Sequence, residues 1–337
     1  MRRFLLICLI VSILMISLVG FNYAKEVTYE LKVGTKMTES NPESIGVLRF
    51  IELVEEKSGG RIKIIPYFHE ALGNAMTQIE SVMLGTQDLY FESYISYEHW
   101  IPEFVVHSIP YLFKNNEEYR QFLLSDMEKE LEDRLLKKTG LRILNTKRNW
   151  VRGPYRIIAA TKPILSVDDF KGLNMRVAGA GADYKVFAHF GAQLTTINYS
   201  ETYLALKQGI VDSVTLPISN LYSMKFGEVC KHVSTTNEIY QQLCFVMNNE
   251  KFESMPEDLQ KMLIEAIDEA GDYETEILSE EILADKEKIK EDEGVIFYEF
   301  DLTPFMEKAQ SYYPTLEKDG DIPVGIVEKV LEWKKSL

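Results

Sequence analysis

The chain has 337 residues, 46% of them apolar, which is more than one hydrophobic core usually organises and points to two domains. Its 52 acidic residues outweigh 37 basic ones, and the resulting charge of −15 argues against nucleic acid or an anionic membrane as a partner. If such a chain binds an anion, local arginines must overcome an unfavourable overall field.

Residues 1–24 carry Arg2 and Arg3, then the apolar run Phe4 to Val19, then Asn22-Tyr23-Ala24 ending on a small residue. This is the pattern of a cleaved secretory signal, and the run is shorter than the roughly 20 residues of a spanning helix. Cys8 lies too early in the run to be a lipidated cleavage-site residue, so the mature protein is expected to be soluble in the periplasm. Cleavage removes two basic residues and no acidic ones. Cys230 and Cys244 remain. The compartment allows a bridge between them and the sequence leaves it open, although the apolar run around Cys244 reads as core.

Alternation of Val27, Tyr29, Leu31 and Val33 predicts a first strand. Val47, Leu48, Ile51 and Val54 at helical spacing predict a helix that stops at Ser58-Gly59-Gly60. A strand over 61–68, a helix over 74–84 and a short strand over 88–91 follow, and the next loop carries Glu92, Ser93 and Tyr94. One or two helices cover 117–138, and a strand covers 141–145. A second α/β unit runs from about Trp150 to Thr236, and residues 240–247 read as another strand. Residues 256–293 form a long helical pattern with a stripe of Leu259, Met262, Leu263, Ala266, Ile267 and Ala270, continued by Ile277, Leu278, Ile282 and Leu283. Gly271 leaves open two helices or one bent helix. A late strand (295–300) and a terminal helix (324–337) complete an α/β chain with mostly parallel strands.

The segment Asp168 to Phe226 is the most informative. A β-type run over 173–177 contains Arg176. A bend (Gly179-Ala180-Gly181), a helix, a strand (193–197), a helix (200–208) and a strand (210–216) follow. Arg176 stands at the carboxyl end of a parallel strand, where open α/β sheets bind ligands, and its planar fork suits a carboxylate. The bend is not a GxGxxG dinucleotide loop.

The motifs DDFKGLNMRV, ETYLALKQGIVD and LYSMKFGEVCKHVSTTNEIY, with ALGNAMTQIESVMLGTQDL at 71–89 and WIPEFVVHSIPYLF at 100–113, resemble the extracytoplasmic solute receptors of TRAP transporters, the C4-dicarboxylate-binding type. The resemblance spans nearly the whole mature chain. It implies a two-domain periplasmic-binding-protein clamshell with a long bridging helix. Domain I would comprise 25–148 plus 237–280, and domain II 149–236 plus 281–337. It also implies a substrate-binding subunit that closes around a small organic acid and delivers it to a permease of small and large integral subunits. A monomer without cofactor or metal is expected.

By the resemblance, Arg176 pairs with the ligand carboxylate. Arg156, twenty residues earlier, fits the second ligand-facing arginine; Arg152 could fill that role instead, because the RGPYR pattern leaves the register uncertain. Trp150 stands beside these arginines at the domain boundary. The loop of Glu92 and Tyr94 corresponds to one lining the opposite side of the cleft. If Glu92 faces the ligand, it accepts hydrogen bonds from hydroxyls and repels a second carboxylate, which favours a sugar acid or related hydroxy acid. Leu216 stands where many members carry asparagine, which implies a ligand with an apolar part. Tyr199, Asn220 and Tyr240 are candidate polar contacts of the cleft.

Five histidines form no HxxxH or HxH pair, and after His69-Glu70 the second zinc position is Gly73. No GxSxG elbow or Walker A loop is present. These absences speak against an enzyme. A ligand-sensing periplasmic module of a signalling system would share the fold and is the alternative.

Overall fold

The computed structural model describes residues 28–177 and 181–337. The expected signal segment 1–24, Val27, and Gly179 and Ala180 of the bend lie outside the described residues.

The chain begins with β1 (Tyr29–Thr35), α1 (Pro42–Ser58), β2 (Ile62–Tyr67), α2 (Ala75–Met83) and β3 (Leu89–Ser93). Asn41 caps α1 by accepting from the Glu43 amide, Pro42 opens the first turn, and Gly59 ends the helix at φ 60°. Helices α3 (Asn116–Leu123) and α4 (Asp126–Thr139), capped by Asn115 and Ser125, lead into β4 (Leu141–Ile143). The chain then crosses to β5 (Arg156–Ala160), β6 (Asn174–Val177), α5 (Ala182–Phe190), β7 (Gln193–Thr196), α6 (Thr202–Lys207), β8 (Ser213–Pro217), α7 (Ser219–Ser223) and β9 (His232–Thr235). It returns through β10 (Leu243–Asn248), α8 (Asn249–Glu253) and the 37-residue α9 (Glu257–Glu293). It ends with β11 (Ile296–Tyr298), α10 (Thr303–Gln310), α11 (Tyr313–Lys318) and α12 (Ile326–Lys334).

Two sheets result. The first has the order β2-β1-β3-β10-β4, with β10 antiparallel to both neighbours. The second has the order β11-β9-β5-β8-β6-β7, with β5 antiparallel to β8 and β9. In each sheet, a strand reached by a crossing runs against the rest. The crossings lie side by side: Arg152 N–H donates to the Gln241 carbonyl at 2.9 Å, and Leu243 N–H to the Trp150 carbonyl at 2.9 Å. This two-stranded ribbon and α9 link the halves.

Helix α9 is one helix, and its stripe serves two cores. Leu259, Leu263, Ala266, Ile267 and Ala270 pack with Phe50 of α1 and with the first sheet, whereas Leu278, Ile282 and Ile289 pack with Leu206, Leu216 and Phe226. Gly271 does not break it. A Cβ there would lie 2.5 Å from Asn149 Oδ1 and 2.7 Å from Trp150 Cδ1, so glycine lets the crossing strand approach the helix. Gly46 of α1 does the same on the other side, with a Cβ position 2.7 Å from Trp150 Cζ3.

The segment after β11 does not stay with one half. Phe305 of α10 packs on Phe170 and Phe190, while Trp333 of α12 packs on Phe122, and Tyr313 donates a hydrogen bond to the Pro110 carbonyl. Cys230 and Cys244 are buried free thiols in separate cores.

Candidate functional site

The carboxyl ends of parallel strands from both sheets face a cavity between the halves. From the first half come Lys36, just past β1, and Glu92 and Ser93 at the end of β3; from the second come Arg176 and Val177 of β6 and Thr215 and Pro217 of β8. Because β5 is antiparallel to β8, its first residue, Arg156, sits opposite Pro217 and joins the same edge. The inner chamber is about 110 Å³ and continues into an outer one of about 340 Å³ that shares Lys36, Arg176, Asp183 and Tyr199.

Three arginines reach the inner chamber, and their surroundings differ. Arg152 is gripped by Glu43 through Nε and Nη2, both at 3.0 Å, and Nη1 donates to Glu92. Burial would lower its pKa, but the two glutamates raise it above the ordinary arginine value. Arg156 donates from Nε to Glu238 at 3.0 Å, from Nη1 to Gln241 at 2.6 Å and from Nη2 to Thr215 Oγ1 at 2.8 Å. Arg176 donates from Nε to the Ile197 carbonyl at 2.9 Å, and its guanidinium lies 5.2 Å from the Tyr199 ring centroid. Among the described residues its two terminal nitrogens meet no carboxylate. Burial lowers its pKa, with Arg156 adding to the fall, and Tyr184, Tyr199 and Glu70 offset it only in part.

Glu92 lies in the cavity wall but is already committed. Burial would raise its pKa, yet Arg152, Lys36 at 3.2 Å and the Ser93 amide hold it down at about 2. It lines the cavity, as expected of a residue that reads ligand hydroxyls, but its oxygens are already engaged by Arg152 and Lys36. Tyr199 and Asn220 also line the chamber, and Asn220 Nδ2 donates to Tyr199 Oη at 2.8 Å. Asn41 Nδ2 of the first half donates to both Asn220 Oδ1 and Ser223 Oγ at 2.9 Å. A polar chain thus runs from the Arg176 face through Tyr199 and Asn220 to the opposite half.

Four expected residues stand elsewhere. Trp150 is fully buried between the two helix glycines, 4.8 Å from Phe91 and 5.2 Å from Phe245, with Nε1 donating to the Ile267 carbonyl at 2.9 Å. Tyr94 is buried behind the wall, its hydroxyl accepting from Arg148 at 2.9 Å; Ser93 and Ile95 face the cavity in its place. Leu216 points into the second core with Ile157 and Phe226, because side chains alternate along β8 and Thr215 and Pro217 take the cavity face. The apolar ligand part inferred from it loses its basis. Tyr240 donates to the Lys114 carbonyl at 2.9 Å, and its neighbours Ile239 and Gln241 line the chamber.

Sequence reasoning missed Lys36, Thr215, Gln241 and Asp183. Strand parity along β8 could have found Thr215. Asp183 sits in the first turn of α5, where an acid reads as helix-end electrostatics, and this masks it.

Residues 33–319 match the family of bacterial extracellular solute-binding proteins, family 7. The chain belongs to this family. It is 28% identical over 300 residues to the sialic acid-binding periplasmic protein of Vibrio cholerae, covering 89% of this chain and 91% of that one. It is 28% identical over 254 residues to the C4-dicarboxylate-binding periplasmic protein of Rhodobacter capsulatus, covering 74% of each. A TRAP periplasmic solute-binding protein from Ochrobacterium anthropi with bound L-fuconate superposes with a TM-score of 0.81 at 27% identity, covering 90% of this chain and 98% of that chain. The fold is the two-domain clamshell of these receptors, and the chain is the substrate-capturing component for a TRAP permease. The family is extracytoplasmic, and among the described residues no helix is long and apolar enough to cross a membrane.

Proposed function

We propose that the protein captures a small hydroxylated carboxylic acid, with Arg176 as the clamp on its carboxylate. The carrying observation is the contrast among the three cavity arginines. Arg152 and Arg156 have their charges answered by Glu43, Glu92 and Glu238, whereas the terminal nitrogens of Arg176 meet no carboxylate among the described residues. A buried guanidinium held by one backbone carbonyl is a fork waiting for an anion. Lys36, Thr215, Tyr199 and Asn220 supply further polar groups around it.

Arg152 and Arg156 then shape the cavity wall and do not serve as second clamps. Closure of the halves removes water from the Arg176–carboxylate pair and strengthens it. Ligand stabilises the closed form through differential affinity, and that form docks on the small and large membrane subunits. The mature receptor, freed of residues 1–24, acts as a periplasmic monomer.

A thermal-shift panel of L-fuconate, D-erythronate, N-acetylneuraminate, succinate and neutral sugars tests this reading. Stabilisation by one or more acids and by no neutral sugar is expected, with the shift set by ligand linkage. Stabilisation by neutral sugars alone would contradict it.

A further inference from the structure

Asp183 is 5% exposed, borders both chambers, and its Oδ1 is buried with no hydrogen-bond partner among the described residues. Glu98, from the first half, borders the outer chamber, and its Oε2 is likewise buried and unpartnered. The two carboxyl groups converge: the position a Cβ would take at Gly181 is 2.8 Å from Asp183 Oδ1 and 3.8 Å from Glu98 Oε1. Arg156, the nearby cation, is already occupied by Glu238, Gln241 and Thr215.

A buried acceptor without a donor costs free energy, and such groups in a native cavity call for an explanation. We propose that Asp183 and Glu98 form a hydrogen-bond-accepting pole beside the Arg176 clamp, selecting acids that carry hydroxyl or ammonium donors over acids with a second carboxylate. The proposal rests on the Arg176 reading, since it presumes the carboxylate end is fixed there. A site built to bond a donor rejects a ligand that lacks one, because its own polar atoms are then left unpaired. A second carboxylate arriving at this pole would also meet two acidic groups.

The electrostatics agree with that placement. Burial pushes Asp183 up to about 7, with Glu98 and Glu238 adding to the rise and Arg156 and the Tyr184 amide opposing it. Burial also raises Glu98, while His107 acts against it. Glu70, Lys36, Arg176 and the titratable His99 also border the outer chamber. An aspartate whose folded pKa lies above its unfolded one costs the free protein stability as pH rises, and the cost is complete above about 7. Asparagine removes that cost together with the strong acceptor.

Calorimetric titrations at pH 8 with L-fuconate, D-erythronate and succinate test the pole on the wild type, Asp183→Asn and Glu98→Gln. The wild type should bind at least one hydroxy acid more tightly than succinate. Asp183→Asn should cut the ratio of hydroxy-acid to succinate affinity at least tenfold, while the free protein unfolds at a higher temperature than wild type. Glu98→Gln should move the ratio the same way by a smaller factor. A wild type that binds neither hydroxy acid more tightly than succinate, or a ratio unmoved in both variants, overturns the proposal. Failure of the clamp reads differently, because Arg176→Ala would then leave both ligand classes bound and the ratio would still report on Asp183.

Discussion

Arg152 and Arg176 are both buried arginines in one cavity wall, each 6% exposed, yet they hold opposite positions in the energetics. Arg152 lies between two glutamates that belong to the first half, Glu43 at the start of α1 and Glu92 at the end of β3. It bolts the crossing ribbon to that half. Among the described residues, Arg176 meets a backbone carbonyl and a tyrosine face and no carboxylate. Burial of a charge is tolerated in the first case because it is paired within the chain; in the second, the proposed clamp has a ligand carboxylate complete it. The comparison separates a basic residue whose counter-charge is in the chain from one whose counter-charge is not among the described residues.

Removing Arg152 is the severest way to break the comparison. Arg152→Ala leaves buried Glu43 without its ion-pair partner and Glu92 with Lys36 alone, and the expected loss of folding stability is about 3–5 kcal/mol. Chemical denaturation of the free protein measures it, and a loss below about 1 kcal/mol would mean that the cluster is not a bolt.

Acid tests the same cluster. The pKa of Glu92 is held at about 2, below its unfolded value, so its contribution to stability is complete above about pH 4.3 and is lost as pH falls toward 2. That contribution is on the order of 3 kcal/mol. Glu92→Gln should flatten the fall in unfolding midpoint across this window, and an unchanged pH profile would count against the pairing.

Gly271→Ala sharpens the contrast from the hinge side. The added methyl would press on Asn149 and Trp150, where the ribbon crosses α9, and overpacking of this kind costs about 1–3 kcal/mol. Stability should fall while the arginine surroundings stay intact. A neutral result would show that the ribbon can slide away from the helix.

The smallest effect is expected from Ser223→Ala. It removes one of the two bonds that Asn41 sends to the opposite half, which under the proposed closure counts for about 1 kcal/mol in the closed form. Affinity for the best acid of the panel should fall about fivefold with little change in the stability of the free protein. An unchanged affinity would disconnect the Asn41–Asn220–Tyr199 chain from closure.

Much of this was legible in the sequence. The stripe on α9, the stop of α1 at Gly59 and the strand that carries Arg176 are local patterns, and the family motifs put the clamshell in order. What stayed hidden depends on contacts far apart in the chain. Glu43 and Glu238 lie 109 and 82 residues from the arginines they neutralise, so spacing could not separate Arg152 and Arg156 from Arg176. The family position misled at Leu216, where a shift of one residue exchanges core for cavity. Strands β5 and β9 also escaped notice, since β5 follows a charged stretch and β9 a short irregular turn, and both are fixed by pairing with each other and, for β5, with β8. Trp150 was placed beside the cleft arginines, but it is buried against two helix glycines and two phenylalanines.

The most direct measurement is a calorimetric titration of Arg176→Ala, beside the wild type, with the panel acid that binds the wild type most tightly. Truncating one partner of a buried charge pair costs about 2–5 kcal/mol, so affinity should fall at least about thirtyfold. The unfolding midpoint of the free protein should be unchanged or higher, because the variant loses a buried charge that has no carboxylate partner within the described chain. Affinity within threefold of wild type would contradict the clamp.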